Sequence, residues 1–89
     1  MPEPAQSHVS VLYFAALRDL AGTSEERLGL GDSASSTVAT LLVAIELRHE
    51  ALRGRLASVR VAVNEEFVES TSSLQPGDVV ALIPPVSGG

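Results

Sequence analysis

The sequence predicts an α+β domain: a mixed sheet of four to five strands, one main helix packed on one face, and an extended C-terminal tail. Three observations carry this. Two apolar, β-branched runs, "VSVLYF" near the start and "VVALI" near the end, are bounded by polar or turn residues, as core strands are. One segment of helical period, "TVATLLVAIELRH", lies between them. The turn signals "NEE" and "QPGD" divide the second half into short strands.

Length and composition set the frame. Eighty-nine residues suffice for one modest core, and no shift in composition divides the chain. With one Tyr, two Phe and no Trp, that core must be built from Val, Leu, Ile and Ala. Eleven acidic against six basic residues leave a net charge of −5, the wrong sign for coating nucleic acid or an anionic membrane, so a basic partner is expected instead. There is no Cys and no Lys, which removes thiolate nucleophiles, Cys–metal sites, Schiff-base chemistry and side-chain amines that could accept an acyl group. Residues 1–7, "MPEPAQS", have neither a cationic start nor an apolar run and are read as a loose arm on a cytoplasmic protein.

The elements follow in order. Val9 to Phe14 form the first strand, and a helical turn after it closes at Gly22. Ser24 to Leu30 read as a second strand that turns back on the first, with Leu28 and Leu30 on one face. "GDSASS" is turn chemistry that places Ser35 or Ser36 to cap the helix. In the helix Val38, Leu41, Leu42 and Ile45 make the core-facing stripe; Val43 and Leu47 lie off it, and His49 falls in the last turn, where the carbonyl end favours a cation. A short helical segment near Ala51 to Leu56 leads to a third strand with Val59, Val61 and Val63 on one face. Asn64-Glu65-Glu66 turn the chain into a short fourth strand at Phe67-Val68. Pro76-Gly77-Asp78 make the last turn, Val79 to Ile83 the last strand, and Pro84 and Pro85 end it because neither can donate to a ladder.

A helix crossing between two hairpins, by the right-handed rule, lays the first and last strands parallel at the middle of one sheet. This is the β-grasp arrangement, spanning residues 8–83 and followed by a tail at 84–89. One helix covers one face, yet both central strands are apolar on both alternating sets. Part of the other face is therefore expected to be exposed apolar surface, the mark of a partner site, with burial by loops and short helices as the alternative.

The tail is the chemically distinctive element. The two prolines stiffen its exit, Val86 and Ser87 are small, and Gly88 and Gly89 let bare backbone pass where no Cβ fits. The reactive group at its tip is the Gly89 α-carboxylate, ionised at neutral pH with a reference pKa of about 3.3–3.7. A carboxylate resists nucleophiles until it is activated, typically as an acyl-adenylate, and no side-chain set in this chain offers that chemistry. His8 and His49 are lone histidines, and Glu65-Glu66 read as a solvated turn. The chain is expected to present chemistry that other proteins perform, and to bind no metal and no cofactor of its own.

"VLYFAALRDLAGT", "VRVAVNEEFV" and "LQPGDVVALIPPVSGG", in that order around a central helix, resemble the small-subunit family of molybdopterin synthase, the ubiquitin-like sulfur carriers. The resemblance runs from about Val9 to Gly89 and is most specific at "PPVSGG". It implies that an adenylating enzyme of the ubiquitin-activating type uses ATP to convert the Gly89 carboxylate to an acyl-adenylate. A sulfurtransferase then replaces AMP with sulfur, and the thiocarboxylate enters the large synthase subunit, in a heterotetramer, to deliver sulfur to cyclic pyranopterin monophosphate. By the same resemblance Phe14, Arg18, Phe67 and Ile83 contact the large subunit, while Pro84, Pro85, Val86, Ser87, Gly88 and Gly89 thread its active site. Core packing is the alternative for Phe14 and Phe67, and a solvated helix charge the alternative for Arg18. Leu82 stands where the family often has Phe. A sulfur carrier for thiamine or cysteine biosynthesis, or a ubiquitin-like modifier conjugated through Gly89, would share the fold and the diglycine.

Overall fold

In a computed structural model that describes residues 8–30 and 36–85, β1 (His8–Tyr13), α1 (Ala16–Ala21), β2 (Glu25–Gly29), α2 (Val38–Arg48), β3 (Arg60–Val63), β4 (Glu66–Val68) and β5 (Val79–Ile83) succeed one another. The sheet has five strands in the order β2-β1-β5-β3-β4. β1 and β5 run parallel at its centre and the other neighbours are antiparallel. This is the β-grasp arrangement that the hairpin–helix–hairpin order predicts. The expected arm at 1–7, most of the "GDSASS" turn and the tail from Val86 onward lie outside the described residues.

Period-2 alternation decides which side chains meet the helix. Val9, Val11 and Tyr13 of β1 point inward, joined by Val80 and Leu82 of β5, Val61 of β3 and Leu28 of β2. From the helix come Val38, Leu41 and Ile45, with Leu42 partly buried beside them. Leu17, Leu52, Leu56 and Leu74 close the ends of the core. Val43 and Leu47 point away from the sheet, 57% and 80% exposed, which explains why they sit off the stripe.

The start of α2 shows how the chain satisfies its orphan amides. The cap is Thr37, not Ser35 or Ser36, because Thr37 and Thr40 form a reciprocal capping box, with Thr40 N–H donating to Thr37 Oγ1 at 3.3 Å and Thr37 N–H to Thr40 Oγ1 at 2.9 Å. The Val38 and Ala39 amides donate to the carbonyls of Ser72 and Ser70, so the loop after β4 is stitched across the helix start. Ser36 is buried instead, its hydroxyl donating to the Leu30 carbonyl at 3.0 Å.

Other boundaries shift for local reasons. The helical segment expected over 51–56 is a single 3₁₀ turn, Glu50–Leu52. Glu66 belongs to β4, since the β3–β4 turn needs only Asn64 and Glu65, both at positive φ (51° and 74°) as a two-residue type I′ hairpin requires. Asn64 is held there by its side chain, whose Oδ1 accepts from Val79 N–H at 3.0 Å while Nδ2 donates to Asp78. The "QPGD" turn is closed by Asp78 N–H on Gln75 O, with Gly77 at φ 92° in the position that favours glycine.

Candidate partner-docking site

The sheet face away from α2 carries the alternate residues of each strand. Leu12, Ala81, Ala62 and Phe67 are consecutive cross-strand partners from β1 through β5 and β3 to β4, and Arg60 pairs with Ile83 in the next row. Phe67 is 58% exposed and Val79 at the other end of β5 is also exposed. In the described residues no second layer covers this face, so the apolar parity of β1 and β5 ends in solvent-accessible surface. Core packing is thereby excluded for Phe67.

Phe14 lies just past β1 and is 45% exposed, so it too is not a core residue. Its presentation depends on a strained turn. Ala15 has φ 54° and ψ −129°, the first central position of a type II′ turn that ordinarily takes glycine, and Leu17 N–H closes the turn on Phe14 O at 3.0 Å. The chain thus pivots at Ala15, leaving Phe14 outside while Leu17 enters the core. Arg18 follows on α1 with its side chain exposed, in keeping with a solvated charge and with a partner contact alike. Gly22, in the left-handed conformation, ends the helix by donating to Arg18 O.

Ile83 is half-buried at the end of β5, Pro84 likewise, and Pro85 is exposed. The chain therefore leaves the sheet from a central strand, beside Arg60 and on the row next to Phe67. Phe14, Phe67, Ile83 and Pro84 fall to one side of the fold or its rim. Val86, Ser87, Gly88 and Gly89 lie outside the described residues.

A polar cluster, which the sequence reading passed over, ties the opposite side together. Glu26, on the inward parity of β2, accepts from Tyr13 Oη at 2.6 Å and from Arg48 Nε at 2.8 Å, and His49 Nε2 lies 2.5 Å from its Oε1. Burial alone pushes the Glu26 carboxyl up, but hydrogen bonds from Tyr13, His49 and Arg48 and the His49 charge outweigh it and hold the group below its ordinary value. Burial, then the hydrogen bond to Glu26 and its charge, drive the Tyr13 phenol well above its usual range. His49 is the extended C-cap of α2; instead of facing the helix carbonyls it meets Glu26, and its ring stands edge-on to Tyr13 at 5.8 Å. The signal was available: Leu28 inward fixes Glu26 inward two residues earlier, and a carboxylate at core parity demands donors. The cluster joins β1, β2 and the end of α2, a structural role.

A groove of about 420 Å³ runs beside β4, lined by Val38, Leu42, Leu56, Val59, Phe67 and Arg60 among others. Its lining is mostly apolar, with Arg60, Glu69 and Ser70 as the polar members, so it offers contact area and no acid–base pair suited to catalysis. A five-stranded mixed sheet with one main helix on one face, an uncovered opposite face and a chain that leaves from the central strand define a ubiquitin-like β-grasp protein.

Comparison with known proteins narrows this class. The ThiS family model matches residues 11–89, and the chain belongs to that family. It is 41% identical over 83 residues to the molybdopterin synthase sulfur carrier subunit of Chlamydomonas reinhardtii, covering 91% of this chain and 98% of the algal one. Among solved structures it is similar to small archaeal modifier protein 1 of Haloferax volcanii, with a TM-score of 0.82 and 28% identity over 90% of this chain and 99% of that one. It is also similar to a chain in the complex of subunits 1 and 2 of the molybdopterin-converting factor from Helicobacter pylori, with a TM-score of 0.63 and 25% identity over 92% and 99% of the two chains.

Proposed function

We propose that this chain is the sulfur-carrier subunit of a molybdopterin synthase, working in the cytoplasm. The observation that carries the reading is the similarity to the algal sulfur carrier over 91% of this chain, together with a family match over residues 11–89 that takes in the "PPVSGG" tail. The converting-factor complex from Helicobacter pylori supports a large subunit as partner, and we extend this to a heterotetramer with two carriers.

The chemistry falls on Gly89. An adenylating enzyme brings ATP, the carboxylate attacks its α-phosphorus, and pyrophosphate leaves. A sulfurtransferase supplies the sulfur that displaces AMP from the acyl-adenylate, leaving a thiocarboxylate. Within the large subunit this sulfur bonds to cyclic pyranopterin monophosphate, two carriers acting in turn, and water cleaves the remaining acyl–sulfur bond so that Gly89 returns to the carboxylate. The chain's own part is to dock by Phe14, Arg18, Phe67 and Ile83, and to extend Pro84 to Gly89 into the partner. Glycine at the tip suits both tasks, since it passes a narrow channel and an activated achiral residue cannot racemise.

Reconstitution tests this directly. A chain lacking Gly88-Gly89 is expected to melt like the full chain and to bind the large subunit, yet to transfer no sulfur; transfer by the truncated chain would refute the proposal. The likeness to an archaeal modifier protein favours a second reading, conjugation of Gly89 to lysines of other proteins. Lysine-linked Gly-Gly remnants on cellular proteins, with no thiocarboxylate on the free chain, would establish it instead.

A further inference from the structure

Arg60 is absent from every role assigned so far, yet it stands on the docking face. It pairs with Ile83, the last strand residue before the tail, and its guanidinium carbon lies 4.2 Å from the centroid of Phe67. The guanidinium thus lies over the ring, and no hydrogen bond to its N–H groups is made among the described residues. No carboxylate among the described residues forms an ion pair with it, whereas Arg48 has Glu26. Glu25, on the same face, is three strand spacings away on β2, roughly 14 Å. Glu69 continues the β3–β4 register one step, opposite Arg60, but the guanidinium sits on Phe67 instead.

A partner that covers Phe67 and Ile83 must also take Arg60 out of water. Burying a guanidinium with no acceptor is costly, so a wholly apolar counterface is rejected and one carrying a carboxylate is selected. We propose that Arg60 is a specificity determinant of docking: its guanidinium, held over Phe67, takes a carboxylate that the large subunit presents across the uncovered sheet face. The planar fork receives both carboxylate oxygens and fixes the rotation of the carrier beside the point where the tail departs. The net charge of −5 favours a partner basic overall, and this contact is a local exception that sets register. The inference rests on the sulfur-carrier reading above.

The test is calorimetric titration of the large subunit with the full-length chain and with Arg60→Leu, Arg60→Glu and Glu69→Gln, at two salt concentrations. Arg60 is exposed, so all three variants are expected to keep the wild-type melt. Arg60→Leu is expected to bind about 30-fold more weakly or worse, with a flatter salt dependence, and Arg60→Glu more weakly still. Glu69→Gln is expected to bind as well as wild type or better. If Arg60→Leu matches wild type in affinity and salt dependence, Arg60 is a bystander and the inference is wrong. If Glu69→Gln loses as much as Arg60→Leu, the acceptor is Glu69 and the partner supplies none. A wild-type chain that melts normally but does not bind the large subunit fails differently, because it removes the sulfur-carrier reading itself.

Discussion

Replacing Ala15 with glycine is expected to stabilise this protein, although glycine for alanine ordinarily destabilises. Ala15 holds φ 54° and ψ −129°, a region that a Cβ disfavours, and a residue forced there costs about 1–3 kcal/mol. Its side chain is exposed, so removing the methyl forfeits no core packing. Against the relief stands the greater freedom of glycine in the unfolded chain, about 0.4–1 kcal/mol. The balance is a gain of about 0.5–2 kcal/mol. At about 2.1 cal/mol/K of unfolding entropy per residue, 89 residues give about 190 cal/mol/K, so the melting temperature should rise by roughly 3–10 °C. Calorimetry reads the shift, and urea titration should show a higher midpoint at an unchanged m-value. A melting temperature equal to or below wild type would refute the claim that the turn presenting Phe14 is strained.

Further substitutions test other parts of the architecture. Leu82→Ala, at a fully buried position of the central strand, should lose about 2–5 kcal/mol in urea unfolding, whereas Leu47→Gln on the outer face of α2 should change stability by less than about 0.5 kcal/mol. Glu26→Gln removes a charged acceptor from Tyr13, Arg48 and His49 and should cost about 1–3 kcal/mol at pH 7. Because the folded-state pKa of Glu26 lies below its ordinary value of 4.5, its stabilisation is present above that pH and fades as pH falls through the depressed value. The gap between wild type and Glu26→Gln should therefore narrow in melts run progressively below pH 4.5; a gap that stays constant would exclude the linkage. Ile83→Asp should weaken large-subunit binding by removing an apolar contact and placing a carboxylate beside Arg60, where it competes for the guanidinium, with unchanged affinity putting Ile83 outside the contact.

Much of this was legible in the sequence because the patterns had one physical solution. Val9, Val11 and Tyr13 alternate with residues of the other face, and prolines at 84 and 85 can follow only the end of a ladder, so the strands and their order were readable. The helix stripe was likewise fixed by Val38, Leu41 and Ile45. The cap was less so, because three hydroxyl residues in succession can each accept from the third amide, and the choice of Thr37 depends on Thr40 answering it and on Ser36 being drawn to Leu30. Exposure of Phe14 was open for a similar reason. Periodicity carries it past the strand end, but whether it folds inward is decided by the backbone of Ala15, whose side chain gives no hint of positive φ. The Glu26 cluster joins residues 13, 22 and 23 positions apart and the Arg60–Phe67 stack residues 7 apart, contacts made only once strand register is known.

The measurement that bears most directly on the carrier chemistry is the intact mass of the chain isolated from its own cells, with fragmentation to locate any modification. A species heavier by the exchange of one oxygen for sulfur, localised to Gly89, is the predicted result. Free acid alone on the isolated chain, together with Gly89 found in isopeptide linkage to lysines of other proteins, would contradict it.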